Sequence, residues 1–462
     1  MFENVLGQTA TAQLVEDINA GTLAPAMLFS GPFASGKGTA ALELGRVISC
    51  EAESPVRAAW NCACSACSRH RFLIHPDLLC LGRRAFSAEI AASAAAFLRE
   101  SAVSPQAANS PGSILFTRAI RKLLARFNPV LWEDEPKTAK ISLLVNTLEE
   151  ELDELGFLTK SASSGSESPS RGENPSIVKL VEGMKKNAYK LESEGMSETV
   201  PIAQIRRSAF WGRLAPAGNG KLLVIENADR VQDDAQNALL KLLEEPPLRL
   251  RLVLTSPRPG SLLPTILSRL RPYRFSRRDA AVEQELIRRV FKDQNNFNPD
   301  EAAGSVDGGI SLYLDSFLPV SKAVLSELAA FFAASVAFKA AYICKKQGRA
   351  LADEVLLLGK YAAPKAEAAG FGRPRLNSSE LISVILDKAD KFEIRSLFSR
   401  FLSCLLEQVS LSFALMLPSV SYNELWRKNL DWAEKAAGVY NLRAAQVLEK
   451  LFIDLSREMA EL

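Results

Sequence analysis

Two residue patterns in this chain could do chemistry. Of its seven cysteines, four (Cys50, Cys62, Cys64 and Cys67) fall within residues 50–67. The N-terminus has no basic region followed by an apolar stretch, so no secretory signal is expected. Clustered thiols in that setting point to a metal rather than to disulfides. Cys64 and Cys67 have the Cys-x-x-Cys spacing that offers two thiolates to one ion. The second pattern is Gly31–Thr39, GPFASGKGT. Gly31 and Gly36 would let backbone N–H groups turn toward phosphate oxygens, and the helix that follows would add its positive end. Lys37 would reach the β- and γ-phosphates of a nucleotide. A Ser or Thr that binds Mg²⁺ usually follows this lysine. Here Gly38 takes that place and Thr39 comes one residue later.

The surrounding elements suit such a site. Residues 26–30 read as a short apolar strand, 31–36 as a loop and 37–48 as a helix. Residues 221–225 and 251–255 read as buried strands on either side of a helix at 233–245. Buried strands alternating with helices predict a parallel α/β sheet. The strand at 221–225 leads into Glu226 and Asn227, where an active ATPase carries two carboxylates, one for Mg²⁺ and one for the attacking water. Glu226 can still touch metal, but the Asn227 amide has no useful proton affinity near neutral pH. A nucleotide site that binds but hydrolyses poorly is therefore expected. Thr255 ends the next strand and is a candidate polar sensor.

Residues 83–200 interrupt this pattern with helical segments near 88–101, 114–127, 141–155 and 177–191, and a Ser-rich linker at 161–170. Arg118, Arg121, Lys122 and Arg126 form a basic face that reads either as solvated or as a DNA contact. Beyond residue 280 helical periodicity dominates, clearest at 281–293, 320–347, 378–417 and 439–460. The apolar stretch Leu397–Leu417 contains Arg400 and Glu407 and reads as a buried bundle helix, not a membrane span. The chain is 47% hydrophobic and 24% charged with a net charge of +3, too mild a balance to imply nucleic-acid binding by charge alone. Cys80, Cys344 and Cys404 sit in apolar contexts and read as core. Neither His70 nor His75 is expected to be catalytic.

Four motifs occur in a fixed order: FENVLGQ at Phe2–Gln8, the loop at 31–39, NALLKLLEEPP at Asn237–Pro247 and LLPTILSR at Leu262–Arg269. Over about residues 1–82 and 200–277 the chain resembles the bacterial DNA polymerase III clamp-loader subunits of the AAA+ class. It lies closer to the delta-prime type than to the gamma/tau motor, which stands as the alternative. The resemblance implies an α/β AAA+ P-loop domain with a parallel sheet and a zinc module, followed by helical lid and collar domains. The expected boundaries are 1–280, with the zinc module at 50–67, then 281–330 and 331–462.

The resemblance also implies roles for residues. Cys50, Cys62, Cys64 and Cys67 would hold structural zinc, although the gap after Cys50 is longer and the Cys62–Cys64 spacing tighter than in the family; reduced free thiols are the other reading. Gly31, Gly36, Lys37, Gly38, Thr39, Glu226 and Thr255 would face ATP or ADP with Mg²⁺. Ser268 and Arg269 match a Ser-Arg-Cys motif, with Leu270 in place of Cys, whose arginine acts in trans on a neighbour's ATP. The chain itself would then have weak or no ATPase activity and no polymerase site. Its partners would be the gamma/tau motor and delta subunits in a five-membered ring, with the sliding clamp and primer–template DNA reached through the complex. A cytoplasmic, replisome- or nucleoid-associated location without membrane contact follows. The GKGT order also occurs in nucleoside monophosphate kinases, but the long C-terminal helices and the EEPP run oppose that reading.

Overall fold

The computed structural model describes residues 1–53, 58–103, 110–132, 138–164, 174–197, 199–293, 308–388, 395–413, 418–438 and 442–462. The chain divides into two compact units, Met1–Phe317 and Leu318–Leu462.

The first unit is built on a five-stranded sheet in the order β2-β3-β4-β1-β5, with β1 at Ala26–Ser30, β2 at Leu78–Leu81, β3 at Lys221–Ile225, β4 at Leu250–Ser256 and β5 at Arg271–Arg274. All four pairings are parallel. Strand side chains alternate between faces, and here both faces are apolar. Met27, Phe29, Leu222, Val224 and Val253 join one core with Leu44 and Val47 of helix Lys37–Ser49. Leu28, Leu223, Ile225, Leu252 and Leu254 join another with Leu239 and Leu242 of helix Asp233–Glu244. A parallel sheet covered on both sides requires this continuous hydrophobicity, so β1, β3 and β4 fall where the sequence predicts them.

The interruption after β2 is helical, with helices at Ser87–Val103, Pro111–Leu124, Thr138–Ser164 and Pro175–Gly195. Their apolar faces share a core of their own that includes Phe97, Phe116, Ile120, Leu148, Val181 and Leu191. Local chemistry marks two of the starts. The Ser110 hydroxyl accepts from the Ser113 N–H at 3.1 Å and the Asn174 carbonyl from the Ser176 N–H at 3.0 Å, each ahead of a proline in the first turn. Of the linker expected at 161–170, residues 161–164 continue the helix, and 165–170 lie outside the described residues.

The basic face is neither solvated nor free for DNA. Arg118 donates to the Arg71 carbonyl, Arg121 to the Phe72 carbonyl at 3.1 Å, and Lys122 and Arg126 pair with Glu89 and Glu226. This face turns inward, toward the cysteine segment and the sheet. Periodicity gives the polar stripe but not its partners, which lie far away in sequence.

The second unit is helical among its described residues: Lys322–Gln347, Asp353–Ala368, Ser378–Lys388, Arg395–Leu411, Val420–Gly438 and Ala444–Met459. The first of these starts on Ser321, whose hydroxyl accepts from the Val324 N–H at 3.3 Å, and stops on left-handed Gly348. It is long and apolar enough to cross a membrane, and 67% of its apolar window is buried. The boundary expected at 330 falls inside this helix. The helically periodic stretch at 378–417 holds helices Ser378–Lys388 and Arg395–Leu411, and Leu397, Phe401 and Leu405 of the second are buried as its apolar pattern requires; 414–417 lie outside the described residues.

Candidate functional site

The cysteine quartet is assembled by the end of one helix and the start of another. Cys50 caps helix Lys37–Ser49, and Cys64 caps helix Ser65–Arg71, its sulfur accepting from the Cys67 N–H at 3.4 Å. The four sulfurs lie within 4.8 Å of one another, with Cys50 3.8 Å from Cys62 and 4.0 Å from Cys64. Four thiolates at ~2.3 Å from a tetrahedral zinc stand about 3.8 Å apart, so the unusual sequence spacing still closes into a zinc-sized cage. Burial opposes ionisation of Cys64, but N–H donors from Cys67 and Glu51 hold its thiol down at about 6. The buried Arg46 guanidinium lies 3.4 Å from Cys67 Sγ and is fixed by Glu43 and by the carbonyls of Ala58 and Ala59; burial and the neighbouring cysteines nevertheless outweigh it and push the Cys67 thiol up. His70 and His75 stack at 4.1 Å in this region, and both are buried.

The glycine loop leaves β1 and enters helix Lys37–Ser49 as the sequence predicts. Gly31 and Gly36 have φ of 147° and 95°, and a Cβ on Gly31 would stand 2.1 Å from the Phe275 carbonyl oxygen. Lys37 does not point outward. Its ammonium donates to the carbonyls of Gly31 at 2.6 Å and Pro32 at 2.5 Å, inside its own loop. Burial lowers it to about 8, against the opposing pull of Glu226 and Asp229. Arg278 closes the loop from the other side, donating to the carbonyls of Leu6 at 2.9 Å and Ala34.

The metal end of the site is different from the expectation. A Cβ on Gly38 would meet Glu226 Oε1 at 2.4 Å, so Glu226 fills the place of the missing hydroxyl. Both Glu226 oxygens face guanidinium groups: Arg126 Nη2 is 2.5 Å from Oε2, and Arg84 Nη1 is 3.8 Å from Oε1. Burial would raise the Glu226 carboxyl, but Arg126 and Arg84 outweigh it and hold the group below the usual carboxylate range. With glycine at position 38 and the Glu226 carboxylate already paired to two guanidinium groups, neither of these two positions offers Mg²⁺ a ligand. Thr255 is buried and its hydroxyl accepts from the Asn227 N–H at 3.2 Å, while the Asn227 amide donates to the Arg83 carbonyl at 2.6 Å. Asn227 is left-handed, with φ 51°, a conformation asparagine tolerates better than most residues. Sequence reasoning missed Arg84 and Arg126 as site residues. Arg126 stood out only as part of a basic stripe, and nothing local links it to a carboxylate a hundred positions away.

Ser268 and Arg269 lie apart from this loop. β5 runs beside β1 with Arg271 opposite Met27 and Arg274 opposite Ser30. Arg269 therefore precedes the near end of β5, whereas the loop follows the far end of β1, a separation on the order of 15 Å at ~3.3 Å per residue. Arg269 is exposed. It donates to the Thr265 carbonyl at 2.8 Å and pairs with Glu244 at 3.0 Å, joining the two motifs Leu262–Arg269 and Asn237–Pro247. Ser268 donates to the Thr265 carbonyl at 3.0 Å.

Comparison with known proteins agrees with the sequence motifs. Residues 135–279 match the family described as "DNA polymerase III, delta subunit". That segment takes in Glu226, Thr255, Ser268 and Arg269, and leaves the glycine loop and the cysteines outside it. DNA polymerase III subunit delta' of Pseudomonas aeruginosa is 33% identical over 124 residues, which are 27% of this chain and 38% of that protein. The match thus spans well under half the length of that relative. A solved DNA polymerase III gamma subunit-related protein from Thermotoga maritima aligns over 58% of this chain and 82% of its own, at 18% identity and a TM-score of 0.29. The chain resembles bacterial DNA polymerase III clamp-loader subunits.

Proposed function

We propose that this chain, a relative of DNA polymerase III clamp-loader subunits, works as a delta-prime-like member of such a loader. In that role it helps place the sliding clamp on primer–template DNA during replication. Its neighbours would be gamma/tau motor and delta subunits in a five-membered ring, in the bacterial cytoplasm. The observation that carries this reading is Arg269: exposed, on a short motif held against the sheet, and on the order of 15 Å along the strands from its own glycine loop. An arginine placed so serves a nucleotide on another subunit better than its own. Its planar, permanently charged fork suits the charge that develops on a γ-phosphate.

The cysteine quartet supports a structural zinc held by Cys50, Cys62, Cys64 and Cys67, which would tie the end of one helix to the start of the next. The motor alternative is disfavoured by Asn227, which cannot position water as a carboxylate would. The test is reconstitution of the loader with wild-type chain or Arg269→Ala. Arginine fingers contribute roughly 10³–10⁵ in rate, so ATP turnover at the site that Arg269 serves should fall by about 10³-fold while the subunits still assemble. Unchanged turnover with the mutant would sink the reading, and clamp-stimulated ATPase in the isolated chain would favour the motor.

A further inference from the structure

The helical interruption at 83–200 reaches the loop site through a partly buried network of charges. Arg126, just past helix Pro111–Leu124, is 7% exposed and bonds Glu226 Oε2 at 2.5 Å through Nη2. Its Nε donates to the Gly82 carbonyl at 3.1 Å, at the end of β2. Trp132 Nε1 donates to the Arg126 carbonyl at 2.7 Å, fixing that backbone. Arg84 and Arg126 both lie against the buried Phe86 ring, at 5.3 and 5.5 Å. Arg84 also pairs with Glu89, which pairs in turn with Lys122. Glu192, from helix Pro175–Gly195, accepts from the N–H groups of Phe86 at 3.1 Å and Ser87 at 2.9 Å. Glu226 and Arg84 thus lie against Gly38, and Arg126, Glu89, Lys122 and Glu192 extend the network from there into the insertion.

An isolated buried carboxylate is costly, and one with a well-placed cation is tolerated. In a working nucleotide site that cation is a metal ion supplied from solution. Here it is a guanidinium supplied by the chain, and the Glu226 side chain stands where a hydroxyl at position 38 would be.

We propose that the helical interruption seals the metal end of this site: Arg126, aided by Arg84, takes the electrostatic place of a divalent cation at Glu226, and the same pair clasps the insertion to the sheet. Glu226 is thereby a structural residue, and the folded chain takes no Mg²⁺–nucleotide at residues 31–39.

The test uses the purified full chain alone, so it stands or falls separately from the assembly experiment. Thermal unfolding is followed in buffer, in MgCl₂ and in Mg·ATP, for wild type, Arg126→Met, Glu226→Gln and the double variant. Wild type should melt at the same temperature in all three solutions, whereas a ligand at a hundred times its Kd would raise the midpoint by several degrees. Arg126→Met strands a buried carboxylate and should lower the midpoint sharply. The double variant should melt above Arg126→Met, because the neutral amide that Glu226→Gln introduces leaves no charge stranded. If Arg126→Met does not fold, a folded double variant gives the same answer. A wild-type midpoint that rises in Mg·ATP overturns the proposal. So does a double variant that loses the sum of the two single losses, or that also fails to fold.

Discussion

Lys37 sits among loop carbonyls with its ammonium largely removed from water. Burial lowers it from the ordinary lysine value to about 8. The sign follows directly. Between about pH 8 and 10.5 the unfolded chain holds this proton and the folded chain does not, so the lysine's contribution to stability rises with pH across that window. The denaturation midpoint of wild type should therefore climb relative to that of Lys37→Met between pH 8 and 10; parallel curves would contradict the buried geometry. Arg269 is the opposite case. Its partner Glu244 is half exposed, and such surface pairs are worth ~0–1 kcal/mol. Glu244→Ala should leave chain stability within about 0.5 kcal/mol in chemical denaturation, and the guanidinium can leave this pair at little cost.

At the scale of elements, the cysteine segment joins two helices whose ends supply the sulfurs. Cys50 and Cys64 are both cap residues, so an ion there would fix the direction of helix Ser65–Arg71 as well as fill a cage. Elemental analysis of the purified chain should find about one zinc per molecule. Cys64→Ser should release it and lower the melting temperature, whereas Cys80→Ala removes only a buried sulfur from β2 and should leave metal content unchanged. Wild type without bound zinc would return the quartet to the free-thiol reading. In the helical unit, Ser321→Ala should cost about 1 kcal/mol in chemical denaturation by removing the cap of helix Lys322–Gln347.

For the molecule as a whole, the glycine loop and Arg269 belong to opposite ends of one sheet. Neither completes the other. If Arg269 acts on ATP as proposed, a second subunit would hold that ATP, and the activity would belong to an assembly. The insertion adds to this division, since it covers the metal end of the chain's own loop through the Arg126–Glu226 pair.

Much of this was legible in the residues. Apolar runs ending in a glycine loop, and buried runs flanking an amphipathic helix, determined β1, β3 and β4, because a parallel sheet buried on both faces needs continuous hydrophobicity. Clustered cysteines pointed to the four-sulfur cage, and the order of four motifs singled out Arg269 as a candidate. Only the tertiary structure decided how those pieces are used. The basic stripe at Arg118–Arg126 reads as surface by period, yet Arg126 is buried and the other three half-buried, because their acceptors are Glu226 just after β3, Glu89 of helix Ser87–Val103 and the carbonyls of Arg71 and Phe72. Local pattern records which side chains share a face. It does not record the distant carboxylate that lets an arginine be buried, and that pairing decides whether Glu226 faces a metal or the protein itself.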